Sequence, residues 1–270
     1  IKEPSKGFRR IKLDNTSISI FNIDFKNWED RHVQIQCLNN IAHLQPSVPK
    51  KVCKKRIILV RHGETDWNKQ GRFQGQIDIP LNQNGKEQAK AASEFLKNVC
   101  IQKAFCSSLK RPIETAQIIL KKHPGIEIVL KDSLKEIGHG EWEGKLESEI
   151  KSDWPDLLKT WKIFPEKVQM PDGENIKEVS IRSIMGWIEI CKDLKNDETA
   201  LVVAHDAVNK TILCHLLGLT PSEIWMIKQG NGGITIIDLS EKKDQPDQIA
   251  CLNITSHLGG IIDSTATGAL

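Results

Sequence analysis

The sequence predicts an α/β fold: a three-layer α/β/α sandwich around a mostly parallel central sheet. Two short apolar runs, residues 57–60 and 200–204, are typical of buried parallel strands. Each run is followed by a segment in which apolar residues recur at intervals of three and four, the spacing of one helix face. Repeated strand and helix units imply a sheet that is covered by helices on both faces.

The remaining elements continue this alternation along the chain. Asn82 is a suitable N-cap for the first long helix, in which Ala89, Ala92, Leu96 and Val99 share one face. A tryptophan-rich region broken by prolines precedes the next long helix. The other predicted elements are strands at 103–107 and 126–130, helices at 111–122, 176–194 and 207–217, and closing strands at 234–239 and 249–255.

Charge and cysteine content limit the classes of partner and compartment. Among 270 residues, 38 Lys and Arg nearly balance 35 Asp and Glu, which gives a net charge of +3. This balance gives no reason to expect a nucleic acid or a membrane as partner, and the apolar runs are far shorter than the ~20 residues that span a bilayer. Seven cysteines without a C-x-x-C pair predict reduced thiols, a cytoplasmic location and no metal site.

The first fifty residues contain a repeat of the end of the chain. Residues 8–23 align with 224–239, and residues 33–44 align with 247–258, with twelve identities in twenty-eight positions. Shared Cys, Asn and His residues at matched offsets make convergent strand composition the weaker explanation. We therefore predict that residues 1–50 are the closing strands of an upstream copy of the same domain plus a basic linker, and that residues 51–270 form the main domain.

The residues suited to chemistry lie where the predicted strands end. Among the eight histidines, His62 and His205 each follow the carboxyl end of an apolar strand, the edge at which open α/β sheets bind ligands. Arg61 places a fixed cation beside His62, and Gly63 lets the backbone approach a ligand closely. An imidazole can attack phosphorus, and converging donors such as Arg61, Arg111 and His205 can stabilise the phosphoryl oxygens.

Four ordered motifs resemble those of the histidine phosphatase superfamily, which includes the cofactor-dependent phosphoglycerate mutases. The first motif begins RHGETDWN at residue 61 and continues GRFQG at residue 71, and the others occupy residues 107–116, 136–144 and 202–205. The resemblance extends over about residues 55–258. It implies a phosphoglycerate mutase-like fold and a phosphohistidine mechanism that needs neither metal nor cofactor.

Residue by residue, the resemblance implies that His62 accepts the phosphoryl group of a small phosphate ester. Glu136 would donate a proton to the leaving alkoxide and then activate water, two roles that one group can fill at nearly one place. Glu64 is expected to orient an arginine or histidine rather than to contact phosphate. The implied phosphate pocket and substrate side consist of Arg61, Arg111, His205, Asn68, Gln74 and Gly75.

Phosphatases and mutases of this family share the phosphohistidine and differ in the second acceptor. The mutases carry Ser or Thr before the glycine that matches Gly75 and an Arg-x-Tyr after the acidic residue. Here Gln74 and Ile-Gly-His at 137–139 stand at those positions, and PDGEN at 171–175 resembles the phosphatase branch. We therefore predict a phosphomonoester hydrolase acting on a small phosphorylated metabolite, with a phosphoglycerate mutase as the alternative.

Two further interpretations are weaker. A non-catalytic phosphate-binding module has no need for the acid Glu136 beside a nucleophile. A dinucleotide site is disfavoured because the glycines at 230–233 precede a strand instead of opening a helix. Asp206 departs from the Gly or Ala that is commoner in the family at this position. Two explanations remain open for it: a cap for the helix that follows, or a charge that disfavours substrates with a nearby carboxylate.

Overall fold

A computed structural model describes residues 9–25, 31–44, 47–242, 245–262 and 265. Its strands form one eight-stranded sheet in the order β1-β2-β8-β7-β3-β6-β4-β5. The strands are β1 (Ile18–Phe25), β2 (Arg31–Asn40), β3 (Lys55–Arg61), β4 (Lys103–Cys106), β5 (Ile128–Leu130), β6 (Thr199–Ala204), β7 (Ile234–Leu239) and β8 (Gln248–Ile254).

Helices cover both faces of this sheet. They are α1 (Asp66–Gln70), α2 (Gln83–Leu96), α3 (Lys110–Leu120), α4 (Glu147–Asp153), α5 (Pro155–Ile163), α6 (Ile176–Asp193) and α7 (Asp206–Leu217). Asn82 is the N-cap of α2, as predicted, and its side chain accepts a hydrogen bond from the backbone N–H of Gly85. The elements predicted between residues 57 and 255 are all present, and apart from the end of α2 their ends differ by no more than two residues. Val99 alone of the predicted α2 face lies beyond the end of that helix.

Each face of the sheet carries its own hydrophobic core because successive side chains of a strand point to opposite sides. On one face, Ile57 and Leu59 of β3 belong to the cluster that includes residues of α6 and α7. On the other face, Ile58 and Val60 pack with residues of α2 and α3. This arrangement confirms the predicted three-layer sandwich.

One half of the sheet, from β3 to β5, is parallel, and the other half is antiparallel. β3 and β4 each pair with β6 in parallel, and β4 pairs with β5 in parallel. β7 pairs antiparallel with β3, and β8, β2 and β1 continue the sheet in antiparallel order. Four adjacent strands, β3, β6, β4 and β5, thus form the parallel sheet that the alternation of strands and helices predicts.

The register of the two central strands determines where the two candidate histidines lie. β3 and β6 pair in parallel with Arg61 opposite Ala204, the last residue of each strand. The next residues are His62 and His205, and the backbone N–H of His62 donates to the carbonyl of Ala204 at 3.0 Å. Both histidines therefore leave the sheet side by side at its carboxyl edge.

Among the described residues, no helix is long and apolar enough to cross a membrane.

Candidate active site

His62 and His205 form the centre of a buried polar cluster at the carboxyl edge of the sheet. Their ring centroids lie 5.1 Å apart, with the planes inclined by 66°. The Nδ1 atom of His62 lies 2.7 Å from the carbonyl oxygen of Gly63, and its Nε2 atom accepts a hydrogen bond from Nε of Arg111 at 3.2 Å. These partners place the ring proton on Nδ1 and leave a lone pair on Nε2.

The ring of His62 is neutral in this environment. Burial lowers the pKa of His62 well below its usual value, and the positive charges of Arg111 and Arg61 lower it further. A neutral imidazole with an unprotonated Nε2 is the form that can act as a nucleophile. The structure therefore provides His62 in a reactive protonation state without an adjacent general base.

Arg111 lies near the start of α3 and is completely buried. Its Nη2 atom donates to the carbonyl of Gly75 at 2.7 Å and its Nη1 atom donates to that of Ile77 at 3.3 Å. Thr115, one turn along α3, accepts from the backbone N–H of Gly63 at 3.1 Å and donates to the carbonyl of Arg111 at 2.8 Å. Burial lowers the pKa of Arg111 to about 10, so its guanidinium is still charged near neutral pH.

Arg61 is held on the other side of His62 by a carbonyl and a carboxylate. Its Nη1 atom donates to the carbonyl of Gln229 at 2.6 Å and lies 3.7 Å from Oδ1 of Asp206. The other carboxylate oxygen of Asp206 forms an ion pair with Lys210 at 2.6 Å. His205 occupies the N-cap position of α7, and Asp206 is the first residue of that helix. Asp206 therefore does not cap the helix but lies between two cations.

His205 is fully buried, and its Nε2 atom lies 2.8 Å from the hydroxyl of Ser107, just after β4. Burial lowers its pKa well below the usual value, with Arg111 and His62 as the next causes. Ser107 belongs to the second motif, but sequence reasoning gave it no role. Its contact with His205 depends on the neighbouring positions of β4 and β6 in the sheet.

Glu136 brings a carboxyl group against the start of α7. Its Oε1 atom accepts from the backbone N–H of Ile137 at 3.0 Å and its Oε2 atom accepts from that of Ala207 at 3.4 Å. Burial raises the pKa of Glu136, and the negative charge of Asp206 raises it further. A carboxyl group with a raised pKa is better able to hold and donate a proton near neutral pH.

The loop that carries Glu136 is clamped by Arg182 of α6, a residue that sequence reasoning missed. The guanidinium donates to both carboxylate oxygens of Glu174, each at 2.7 Å. It also donates to the carbonyl of Glu136 at 2.9 Å and to those of Ser133 and Lys135. Burial opposes ionisation of Glu174, but its bond with Arg182 and its other hydrogen bonds lower its pKa overall. The PDGEN segment at 171–175, which contains Glu174, was the sequence signal for this contact.

Asn68 and Gln74 are joined through Thr65, the N-cap of α1. Thr65 donates through its backbone N–H to Oδ1 of Asn68 at 3.1 Å and through its hydroxyl to Oε1 of Gln74 at 2.8 Å. Gly75 passes so close to Glu143 that an added Cβ would lie 2.2 Å from Oε1 of that side chain. Within the described ranges, no hydrogen bond joins the carboxylate of Glu64 to an arginine or histidine as expected; it accepts instead from the side chain of Asn82 at 2.8 Å.

Asn231 is a second residue that sequence reasoning did not place at the site. Its amide Nδ2 donates to the carbonyl of His62 at 3.2 Å and to Oδ1 of Asn68 at 3.3 Å. The next backbone N–H, that of Gly232, is shared between the carbonyls of Arg61 and His62. The match of Asn231 with Asn15 in the repeat was the only sequence signal for this residue.

The cluster leaves several buried polar atoms without a protein partner. In the part of the chain that the structure describes, these include Nε of Arg61, Nδ1 of His205 and Nε2 of Gln74. Buried polar groups are nearly always satisfied in native proteins, so unpaired ones indicate a ligand site. The predicted residues His62, Arg61, Arg111, Glu136 and His205 therefore lie together, with fixed cations and unused polar atoms suited to an anion.

Comparison with known proteins agrees with this arrangement. Residues 57–251 match the family model described as Histidine phosphatase superfamily (branch 1). The chain belongs to the histidine phosphatase superfamily. This family's match begins within β3 and ends within β8, so it includes every residue of the buried cluster.

The relatives of this histidine phosphatase include several named phosphatases. Phosphoserine phosphatase 1 of Hydrogenobacter thermophilus is 33% identical over 204 residues, which are 76% of this chain and 94% of that protein. A probable 2-carboxy-D-arabinitol-1-phosphatase of Arabidopsis thaliana is 31% identical over 74% of this chain but only 41% of its own length. A phosphoserine phosphatase mutant of Entamoeba histolytica, solved with phosphoserine, is 31% identical with a TM-score of 0.65, covering 76% of this chain and 99% of that one.

Proposed function

We propose that this chain hydrolyses small phosphate monoesters through a phosphohistidine formed at Nε2 of His62. The observation that carries the proposal is the tautomer of His62: the carbonyl of Gly63 accepts the Nδ1 proton, and the unprotonated Nε2 accepts a hydrogen bond from Arg111. The names of the phosphatase relatives support the same reaction class. The seven cysteines are all free, which supports the proposal of a reducing compartment such as the cytoplasm.

In the first half of the reaction, Nε2 of His62 attacks the phosphorus atom and the bond from phosphorus to the ester oxygen breaks. Glu136 gives its proton to the departing oxygen, so an alcohol leaves and Glu136 becomes a carboxylate. Arg61, Arg111 and His205 donate to the equatorial phosphoryl oxygens, where charge is spread in the transition state. Asn68 and Gln74 extend the donor set toward the substrate.

In the second half, water attacks the phosphohistidine. The Glu136 carboxylate removes a proton from this water while the bond between phosphorus and nitrogen breaks. Inorganic phosphate leaves, and both Glu136 and the neutral ring of His62 return to their starting states. The raised pKa of Glu136 favours the protonated form that donates in the first step, and the carboxylate left by that step accepts the proton of water in the second.

A phosphatase is supported over a mutase by the residues that follow Glu136. Ile137 and His139 are completely buried, and neither ring nitrogen of His139 has a hydrogen-bond partner among the described residues. They stand where the mutases carry an Arg-x-Tyr, so the groups that those enzymes place after the acid are missing here. Asp206 repels anionic substrates less than an unpaired carboxylate would, because it forms ion pairs with Arg61 and Lys210.

The test is phosphate release from a panel that includes phosphoserine, 3-phosphoglycerate and a sugar phosphate, measured with EDTA present. We expect turnover that EDTA does not reduce and that exceeds any isomerisation of phosphoglycerate when 2,3-bisphosphoglycerate is added. Loss of activity in EDTA would contradict the metal-free mechanism. Isomerisation faster than phosphate release would favour the mutase.

The nucleophile is tested by trapping the phosphoenzyme. His62→Ala should abolish an acid-labile phosphoenzyme, whereas His43→Ala, at an exposed histidine remote in sequence from the four motifs, should leave it unchanged. Label that persists in the His62 variant would remove His62 from this role.

A further inference from the structure

The repeat found in the sequence has a structural counterpart. We define the first closing unit as residues 9–44, which contain β1 and β2, and the second closing unit as residues 225–258, which contain β7 and β8. The alignment of the repeat relates the units by an offset of 216 residues up to the hairpin turn and 214 residues after it. Equivalent positions can therefore be compared contact by contact.

The two units share unusual local geometry. In each hairpin the register shifts at the same place, where Ile20 pairs with Cys37 and Ile236 pairs with Cys251. Asn39 and its equivalent Asn253 both have a positive φ, 52° and 50°, which non-glycine residues seldom adopt. Common strand composition does not account for a shared bulge and a shared left-handed asparagine.

The backbone and side chain of each asparagine also make equivalent hydrogen bonds within its own unit. The backbone N–H of Asn39 donates to the hydroxyl of Ser19 at 3.0 Å, and that of Asn253 donates to the hydroxyl of Thr235 at 3.0 Å. Oδ1 of Asn39 accepts from the N–H of Asp14 at 2.7 Å. Oδ1 of Asn253 accepts in the same way from the N–H of Gly230, at 2.8 Å.

The units are joined to each other about a local two-fold axis. β2 pairs antiparallel with β8 with Leu38 opposite Leu252, which are equivalent residues. Nδ2 of Asn39 donates across the joint to the carbonyl of Ala250 at 2.5 Å, and Nδ2 of Asn253 donates back to that of Gln36 at 2.8 Å.

Backbone contacts at the ends of the joint repeat the exchange. The N–H of Lys12 donates to the carbonyl of Ile249 at 2.9 Å, and the N–H of its equivalent Lys228 donates to the carbonyl of Ile35 at 3.0 Å. Each of these contacts from the first unit to the second has a partner in the reverse direction. This reciprocity is the mark of an isologous interface between two copies of one structure.

Among the described residues, no strand pairs with the outer side of β1, whereas its equivalent β7 has β3 there. Phe21 and Ile23 of β1 are 49% and 56% exposed, whereas the equivalent residues Ile237 and Leu239 of β7 are 0% and 5% exposed. β7 is covered because it pairs with β3, the strand that leads to the nucleophile. β1 therefore presents an apolar strand edge that fits a second copy of β3.

We propose that the joint between β2 and β8 is an interface between two copies of this fold, and that the first closing unit belongs to a preceding copy in the same polypeptide. The preceding copy supplies its own equivalent of β3 to the open edge of β1. One continuous sheet then passes through both domains, with the two-fold axis at Leu38 and Leu252. The Arabidopsis relative supports this architecture, since the matched region accounts for only 41% of its length.

A hairpin that only covered the edge of β8 would not need these features. Asn39 and Ser19 form the same hydrogen bond as Asn253 and Thr235. Among the described residues, however, it is the second unit that bonds to the backbone of Arg61 and His62, through Gly232. Cys37 and Leu38 are as deeply buried as Cys251 and Leu252. The first unit thus keeps the local fold and the interface contacts of the second closing unit.

The first test is to read the coding sequence upstream of Ile1. We expect about 160 codons before Ile1 that encode the rest of a second domain, with motifs in the same order; with the segment numbered 1–48 here, that domain has about 200 residues, within the usual length of one domain. A start codon directly before Ile1, or an unrelated sequence in that place, would overturn the proposal of a preceding copy.

The second test is a disulfide across the two-fold axis in the 270-residue chain. In a background with Cys37 and Cys251 replaced by Ala, Leu38→Cys with Leu252→Cys should form an internal disulfide. Directly opposed residues of an antiparallel pair lie about 4.5–5.5 Å apart at Cα, which a disulfide can bridge. The control pair, Leu38→Cys with Ile254→Cys, is two residues out of register and should stay reduced.

Peptide mapping by mass spectrometry identifies the bonded pair, and phosphate release shows that the variants fold. A disulfide in the control but not in the test pair would overturn the two-fold register. If the variants do not fold, hydrogen exchange of the unsubstituted chain decides: the amides of Lys12 and Lys228 should be protected alike. Fast exchange at Lys12 with protection at Lys228 would contradict the reciprocal joint. None of these outcomes depends on which phosphate ester is the substrate.

Discussion

Two regions of the molecule bury histidines and treat them differently. We call one the phosphate pocket, after the role proposed for its residues Arg61, His62, Arg111, Glu136 and His205. We call the other the aromatic cluster, formed by Phe73, His139, Trp142, Trp161 and Trp225. Burial is the main cause that lowers the pKa of the histidines in both regions, to about 3 for His139. Depth of burial and a lowered pKa therefore do not by themselves identify a catalytic histidine.

The difference lies in what the ring nitrogens contact. Nδ1 and Nε2 of His62 each have a polar partner, so the tautomer is determined. His139 has ring neighbours instead, with centroids 5.3 Å from Phe73 and 6.1 Å from Trp161. Neither of its nitrogens has a hydrogen-bond partner in the described part of the chain. We infer that His139 serves packing, and the predictions below separate the two regions by activity and by stability.

The largest effect is expected at the acid of the phosphate pocket. Glu136→Gln should reduce turnover of an alkyl phosphate by about 10²–10⁴-fold, the usual contribution of general acid catalysis. The loss should be smaller for the first half of the reaction with p-nitrophenyl phosphate, whose leaving group needs no proton. Phosphohistidine should then accumulate, because the water step still needs a base.

The measurement is steady-state turnover of both esters together with trapped phosphoenzyme, and Glu141→Gln, at an exposed carboxylate in the same segment, is the control. An equal loss with both esters and no accumulation would show that Glu136 does not act as the acid.

A smaller loss is expected when a phosphate donor is removed. His205→Ala should lower kcat by about 10²–10³-fold, as for removal of one donor to a developing anion. The comparison variant is His139→Phe in the aromatic cluster, which should leave kcat unchanged because His139 has no polar contact with the pocket. Similar losses in the two variants would mean that burial, and not position at the sheet edge, determines the role.

Weakening the clamp that Arg182 forms on the Glu136 loop should reduce kcat by an intermediate amount. Arg182→Lys keeps the charge but cannot bond both oxygens of Glu174 while also reaching the carbonyl of Glu136. A displaced acid should cost about 10-fold to 10²-fold in kcat, with little change in KM. The pH profile should also change, because the surroundings of the Glu136 carboxyl group change. A pure loss of thermal stability with an unaltered profile would limit Arg182 to a structural role.

The smallest effect concerns stability and belongs to the aromatic cluster. Below pH 6.5 the unfolded chain binds a proton at His139 that the folded chain, with a pKa of about 3 there, does not bind. This difference lowers the free energy of unfolding by up to about 1.4 kcal/mol per pH unit as the pH falls from about 6.5 toward 3. His139→Phe removes this contribution.

The measurement is urea unfolding of the chain and of His139→Phe at pH 7.5 and pH 5.5. The difference in unfolding free energy between the two proteins should shift by about 1 kcal/mol in favour of the variant at the lower pH. If the difference did not depend on pH, the folded chain would bind a proton at His139 as readily as the unfolded chain does.

Local features of the sequence were sufficient for the elements and for the expectation that His62 and His205 lie together. The runs at 57–60 and 200–204 predicted β3 and β6 because uninterrupted apolar residues satisfy a strand buried on both faces. The histidines after these runs were then expected at one edge of the sheet, since parallel strands end together. His62 and His205 do lie there, with rings 5.1 Å apart.

Contacts between distant parts of the chain depended on the tertiary structure. Arg61 bonds a carbonyl 168 residues away, and Arg182 reaches the carbonyl of a residue 46 positions earlier. No local pattern records such a pairing, because it depends on the path of the chain between the two residues. The ion pairs of Asp206 and the clamp on Glu136 were therefore found only in the structure.

The sequence by itself determined the fold class, the order of the motifs and the existence of the repeat. Each of these is written in residue type and spacing along a short stretch of chain. The protonation state of His62, the isolation of His139 and the two-fold joint at Leu38 and Leu252 were decided by tertiary structure alone. The physical reason is that pKa values and strand partners depend on neighbours in space, which burial and packing select.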